Sequence, residues 1–437
     1  MTLQAGSAQT EITPKDSQFL FGYPHVERYS TGVHDKLWSS SLYLSDGKTD
    51  CLFIANDIIF VGKDNSASAR KRINEQTGIA AEHIMITATH THSGPHTVDY
   101  ISNHADPSVP KADQNYVQFM EDCIVESAVK AHKNARPAKL GLAIADDTGV
   151  GTNRRDPSGP ADHNVPVLMV RSYDDKNIAC MLVCSMHPTV MHEDSTLISG
   201  DFPGLSRIYL QENVLGKDCA VLHHTGPAGN QSPRHVTKAN TFEEADRLGK
   251  ILGKAVEKTI DQIDFKDNVD LATKVKLIDD LPKKVFPSVV EAEKKLKNAI
   301  DKLEYLRTSN APKQETRTAE CDWFGAEETL TLSKAANDGV LKNAYKACLP
   351  AEVQVIKIGD WNFVGWQGEN FIEFALAVKN NTDNSFVISL ANGEMQGYVV
   401  TKEAAEEGGY EASNALFSYQ AGEIFVNKTL EALDELK

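Results

Sequence analysis

Three histidines fall within seven residues in the segment ITATHTHSGPHT: His90, His92 and His96, just after an apolar run. His90 and His92 stand two apart, a spacing that on extended backbone turns both imidazoles to one face. Imidazole in apolar surroundings is costly unless it is paired or bound. A shared metal ion is one reading of the pair, and a polar loop rich in histidine is the other. The HxH spacing alone does not separate them.

Four further clusters share one grammar, an apolar strand that runs out into a loop of small and polar residues. In CMLVCSMHPTVMHED, His187 precedes Pro188, and His192, Glu193 and Asp194 follow. In CAVLHHTGPAGNQSPRH, His223 and His224 end a strand, followed by Gly226, Gly229, Asn230 and Ser232. Those glycines would let the backbone approach a bound group and offer N–H donors to an oxyanion. The serine lacks the flanking glycines of a nucleophile elbow, and the loop lacks the lysine of a phosphate-binding loop. In DWNFVGWQGENFIEF, Glu369 sits at a strand-to-helix turn, where on its own it reads as a carboxylate complementing the helix dipole. In NGEMQGYVVTKEAAEEGGYE, Tyr398 and Tyr410 stand twelve apart, and on their own read as packed rings. Together, two strand-end histidines and one strand-end carboxylate form a His2Glu set with a position left for water, an arrangement used by hydrolytic zinc. No HExxH helix supplies it here.

The elements that must carry these clusters alternate. Strands are expected at SLYLS, CLFIANDIIFV, HIMITAT, VPVLMVRSY, ACMLVCSM, CAVLHH, VQVIKIGDWNFVGW and SFVISLA. Helices are expected over 65–78, 113–135, 241–263, 370–379 and 417–436. The helix from Thr241 opens on a capping box with Glu244. The pattern predicts an α/β fold of layered mixed β-sheets flanked by helices, in one large catalytic domain over 1–437. Residues 283–346 differ. VVEAEKKLKNAIDKLEYL and a second stretch at 327–346 form a helical hairpin insertion, read as a solvated surface pair, with a lid or an oligomer contact as the other readings.

The chain has 437 residues, 41% hydrophobic and 24% charged, with net charge -16. That acidity argues against nucleic acid or an anionic membrane as partner. No apolar run reaches membrane-spanning length, and MTLQAGSAQTEITP lacks the features of a signal peptide. The expected location is therefore cytoplasmic, or secreted if a leader has been removed. Seven cysteines, mostly in apolar runs, are expected as free buried thiols. Cys180 and Cys184, four apart, read as core before they read as a metal pair.

Taken in order along almost the whole chain, the motifs AGSAQTEITP, FGYPHVERYSTGVHDKLWSSSLYL, ATHTHSGP, TNRRDP, MHPTVM, GDFPG, GNQSP, GWQGE, GYVVT and GGYE resemble the catalytic domain of the neutral/alkaline (non-lysosomal) ceramidases. These are zinc amidases that split the N-acyl bond of ceramide. The resemblance implies a mixed α/β fold and a Zn2+ cofactor held by His90, His187, Glu369 and Tyr398. It implies that His92 works near the scissile bond, with Arg154, Ser232 and Tyr410 in the active site and His96 at its mouth. Ser232 is either a covalent nucleophile or a group that orients substrate, and orientation is favoured. The surroundings depart from the family. His96-Thr97 follows SGP where two glycines are frequent, and GNQSPR stands where Gly-Asp-Val-Ser-Pro is common. The chain also ends soon after the tyrosine motif, where the family carries a C-terminal β-domain. The expected function is zinc-dependent hydrolysis of an N-acyl amide in a small-molecule or lipid-like substrate. The alternatives are an esterase or deacylase acting on a polar, sugar-linked substrate and, more remotely, a non-catalytic binding protein.

Overall fold

The computed structural model describes residues 2–437. An eight-stranded sheet runs in the order Ala220–Thr225, Asn177–Cys184, Asn164–Ser172, Arg136–Asp146, Gln4–Glu11, Trp38–Ser45, Asp50–Asn56, Ile84–Ala88. Its interior pairs are antiparallel, and the outermost pair at each edge is parallel. A four-stranded sheet follows the order Leu271–Ile278, Ala351–Ile358, Trp361–Trp366, Ser385–Ile388.

The two sheets face each other. Phe53, Leu168, Met181 and Leu222 from the first meet Ile356, Phe363, Phe386 and Ile388 from the second in one buried cluster. The rings of Phe53 and Phe363 meet edge-on at 5.6 Å. Side chains alternate along each strand, so Val353, Val355 and Val364 point the other way, into a helical layer. That layer holds α8 (Ile372–Asn381) and the C-terminal helix Gln420–Asp434. The outer face of the large sheet carries α1 (Lys63–Thr77), α2 (Gln114–Lys133), α3 (Asp201–Leu210) and α4 (Phe242–Ile260). The result is four layers, helix–sheet–sheet–helix, the mixed α/β architecture that the alternation of elements predicts. Each fully buried Phe or Leu between layers contributes roughly 2–3 kcal/mol.

In the two large sheets, three strands lie outside the expected set: Gln4–Glu11, Arg136–Asp146 and Leu271–Ile278. All three are polar or lysine-bearing, so the alternation that marks a half-buried strand is weak in them. CLFIANDIIFV ends as strand at Asn56, and the rest crosses the sheet edge as a loop. The Thr241 cap is half of a box: its side chain accepts from Glu244 N–H, but the Glu244 carboxylate turns to Lys238 N–H and to Arg247. A complete box caps α5 (Val289–Thr308) through Ser288 and Glu291.

The second helix of the insertion, α6 (Lys313–Asn337), starts well before residue 327, and a short α7 (Leu341–Cys348) follows it. The solvated-pair expectation fails for α6, whose inner face is clamped to the body. Arg317 reaches Glu193 at 2.7 Å, Trp323 stacks on His25 at 4.8 Å, and Gly325 sits against Ser413 and Tyr410. Charged residues on a helix usually mean bulk water. Here several of them face an internal cavity instead.

Candidate metal centre and active-site cavity

The two edge strands of the large sheet bend toward each other. Thr87 and His224 hydrogen-bond at 2.7 Å, and Thr225 Oγ1 donates to the Thr89 carbonyl at 2.8 Å. Their C-terminal ends, with those of Asn177–Cys184 and Trp361–Trp366, open onto one place.

His90 arrives there by a different local route from the one its spacing suggests. The strand stops at Ala88, and His90 has φ +67°, a left-handed conformation rare outside glycine. The turn is held by His90 N–H to the Ile58 carbonyl and by His90 Nδ1 to the Ile59 carbonyl, 2.9 and 3.0 Å. His90 and His92 therefore converge (Nε2 to Nε2, 3.4 Å) through a turn, not through strand alternation. His187 sits past the end of Asn177–Cys184, with its N–H on the Gln231 carbonyl and its Nδ1 2.5 Å from the Ala228 carbonyl. Glu369 follows Gly368 (φ +79°) and pairs in parallel with Tyr398.

These three side chains close a triangle: His90 Nε2 to His187 Nε2 is 3.1 Å, His90 Nε2 to Glu369 Oε2 3.2 Å, and His187 Nε2 to Glu369 Oε2 3.0 Å. A backbone carbonyl only accepts, so each Nδ1 must carry a proton, and a neutral ring then presents a lone pair at Nε2. Two lone pairs and a carboxylate oxygen then face one another in a buried space, which is repulsive unless a cation sits among them. The separations approach the ~3.3 Å between neighbouring ligands on tetrahedral zinc with ~2.0 Å bonds, and the carbonyl-held Nδ1 atoms match the outer contacts usual for metal-bound histidine. The residues present fit a zinc ion. Burial, with Arg154 adding to it, lowers His187 to about 4. His92 closes the group, with its ligand atom within 4.8 Å of those of His90 and His187. Its ring packs so tightly on Gly22 (φ +114°) that a Cβ there would lie 2.3 Å from Nδ1.

Around this centre lies a cavity of about 700 Å³ that includes His92, Arg154, Ser232, Tyr398 and Tyr410 in its lining. Arg154 Nε donates to Glu411 at 2.8 Å, its guanidinium lies over the Tyr398 ring at 5.3 Å, and its Nη2 has no partner. Tyr398 and Tyr410 meet edge-on at 5.9 Å. Ser232 is buried, and its Oγ accepts from Arg234 N–H.

Other expectations resolve differently. His96 is buried away from the cavity mouth, stacked on Phe21 at 4.3 Å with Nε2 on the Val98 carbonyl. Gly226 and Gly229 offer no N–H to an oxyanion, because these bond to the Cys184 and Asn370 carbonyls. Gly229 instead permits close packing: a Cβ there would lie 2.8 Å from the Glu369 carbonyl. Cys180 and Cys184 are core thiols, and Cys184 Sγ lies 3.2 Å from Asp147.

Three supporting residues lie inside the family-like motifs but are not singled out by the sequence reading. Arg28, wholly buried, bridges the His92 and Ser195 carbonyls. Asp201 Oδ2 accepts from Val190 and Met191 N–H, pinning the loop after His187, and burial pushes its carboxyl up to about 6. Glu411 binds both Arg154 and Arg155.

A family model described as "Neutral/alkaline non-lysosomal ceramidase, N-terminal" matches residues 3–268. That span contains His90, Arg154, His187 and Ser232, while Glu369, Tyr398 and Tyr410 lie beyond it. The neutral ceramidase of Pseudomonas aeruginosa is 23% identical over 321 residues, which are 65% of this chain and 48% of that protein. Neutral ceramidase A of Dictyostelium discoideum is 22% identical over 268 residues, 56% of this chain and 37% of that one. The matches thus span about half or less of these relatives. The crystal structure of the Pseudomonas aeruginosa neutral ceramidase superposes with a TM-score of 0.77 at 17% identity, covering 100% of this chain and 74% of that one. A structure titled "Ceramidase complexed with C2" gives 0.76 at 16%, covering 100% and 75%. At these identities the structural likeness shows a shared fold.

Proposed function

The chain belongs to the neutral/alkaline non-lysosomal ceramidase family, and on that premise we propose that it is a zinc-dependent hydrolase that cleaves an N-acyl amide, with ceramide as the first substrate to test. The observation that carries this reading is the triangle of His90, His187 and Glu369, whose facing lone pairs call for a cation. Zinc held there supplies a Lewis acid for the amide carbonyl and water made acidic enough to attack near neutral pH. Tyr398, paired with Glu369 and under the Arg154 guanidinium, is the fourth residue assigned to the metal.

The remaining roles belong to this chain's own side chains. Arg154 keeps a fixed positive charge, and its free Nη2 supplies a donor to an oxyanion developing on the substrate. His92 lines the cavity with its Nε2 turned toward His90, and from there can carry a proton to the departing amine. Ser232 has an Arg234 N–H on its Oγ and no imidazole base, so the structure favours the orienting role over the nucleophilic one. Its hydroxyl proton remains available to the substrate carbonyl.

A second reading, a deacylase on a polar substrate, is favoured by the cavity lining. Arg154, Arg155, Arg234, Arg317, Asp322 and Glu411 all face it, few of which would welcome an alkyl chain. Hydrolysis of a fluorogenic N-acyl-sphingosine, measured beside acetylated sugars, separates the two. Stoichiometric zinc and loss of turnover in His90→Ala are expected, and zinc-free protein with unchanged His90→Ala activity would sink both readings.

A further inference from the structure

The large cavity has Arg154, Arg155, Arg234 and Arg317 in its lining. Three of these cations are offset by acids. Glu411 pairs with Arg154 and Arg155, Glu407 pairs with Arg155 again, and Glu193 and Glu320 pair with Arg317. Arg234 is different, and forms no ion pair among the described residues. Its Nη2 donates to the Thr318 hydroxyl at 2.8 Å and to the Gln314 carbonyl at 3.4 Å, both on α6. Neutral acceptors fix the plane of a guanidinium without cancelling its charge. The bonds on Nη2 leave Nε and Nη1 as donors for a ligand.

Its position ties this charge to the reacting bond. Arg234 stands two residues after Ser232, in the turn Pro233–His235, with its own N–H on the Ser232 Oγ. The side chain crosses from there to α6, so it forms the wall between the serine loop and the insertion. Cys321, three residues after Thr318 on α6, lines the same cavity. Burial pushes the Cys321 thiol up, and the charges next in effect are three cations, Arg317, Arg234 and Arg154, ahead of Glu411. The other acids of the lining do not cancel them. Asp322 is paired with Lys302, Asp156 is exposed and turned to Ser158, and Glu315 is exposed in the first turn of α6. An ammonium would be repelled at this wall. An oxyanion would meet charge-assisted donors.

We propose that this wall is a subsite for an oxyanion, carboxylate or phosphate, carried by the amide substrate, and that Arg234 is the residue that selects it, an assignment that rests on the polar-substrate deacylase reading and narrows it. Arg154 closes the inner end of the wall and keeps its Nη2 for the reacting carbonyl. The loop after Ser232 and the helical insertion thereby recognise one group together.

Five small amides test it: N-acetyl-β-alanine, N-acetyl-O-phosphoethanolamine, N-propylsuccinamic acid, N-propylacetamide and N-acetylethylenediamine. The first two carry a carboxylate or a phosphate on the amine side, and the third carries a carboxylate on the acyl side. The wild-type protein is expected to favour at least one of these three over the neutral propylacetamide by about tenfold or more in kcat/KM, and to disfavour the ammonium. The one that leads identifies the anion and the side of the amide that bears it. Arg234→Gln should bring the ratio of that amide to propylacetamide down to about one, with zinc content kept. Arg234→Lys should restore part of the ratio, and Arg234→Glu should turn it toward the ammonium. A residue with only a structural role would slow all five amides alike in Arg234→Gln and leave the ratio intact. That result, or a wild type that favours no anion, overturns the proposal. If no amide is turned over, the hydrolase reading has failed instead, and binding decides the subsite. Glutarate or inorganic phosphate should then raise the Tm of the wild type and not that of Arg234→Gln, and equal responses of the two proteins overturn it.

Discussion

Two pairs of buried histidines sit at strand ends within one layer of each other, and only one makes a site. His90 and His187 each give Nδ1 to a backbone carbonyl and turn Nε2 onto the same carboxylate. His223 and His224 are as deeply buried, but as sequence neighbours on a strand they face opposite sides of the sheet. His224 binds Thr87 through Nδ1, and His223 has no partner on either nitrogen. Burial pushes both of these rings down to about 3. Burial and perturbed titration are thus common to both pairs. Convergence of unprotonated nitrogens on a negative partner belongs to one.

The contrast breaks hardest at the carboxylate. Glu369→Gln removes the charge that balances a cation between two lone pairs. Zinc measured by mass spectrometry should fall far below one equivalent and turnover by about 10³-fold or more. The matching change in the other pair, His223→Leu, should leave zinc and turnover untouched; a loss of metal there would erase the distinction. Next in size, Arg154→Ala should keep the zinc and cost about 10²-fold in kcat/KM, because it removes a donor from the developing charge and not a ligand. Gly229→Ala pushes on the Glu369 carbonyl and should weaken zinc binding by about tenfold in a chelator competition, with the fold retained.

The smallest effect sharpens the comparison from the silent side. His223 and His224 titrate near 3 when folded and near 6.5 when unfolded. The unfolded chain binds more protons between those values, so their contribution to stability is complete above pH 6.5 and is lost as pH falls toward 3. Unfolding free energies from urea titrations between pH 7 and 4 should drop by roughly 1 kcal/mol per pH unit for each ring. His223→Leu should flatten that slope. An unchanged slope would show that the His223 ring is not held neutral by the fold.

The sequence announces this division unevenly. Apolar runs ending in Gly, Pro and His place most strands correctly, because short buried strands carry strong composition signals. The HxH spacing points to two rings that the structure does bring together, but for a different local reason, since a left-handed turn at His90, not strand alternation, aims the ring. Glu369 by itself is indistinguishable from a helix-start carboxylate; only its arrival beside His187 gives it another meaning. Glu328, buried on the inner face of α6, is silent altogether. A glutamate facing an enclosed chamber looks, in a charged helix, like one facing bulk solvent.

The triangle also has a kinetic consequence. His90 and His187 lie 97 residues apart, and His187 and Glu369 another 182. No hairpin or single supersecondary unit contains two of the three. The pocket therefore comes into being only when both edges of the large sheet have closed and the second sheet has docked, the slow, non-local part of assembly. A metal ion held by this triangle would therefore be captured only at the last step of folding, as a latch on a structure already built.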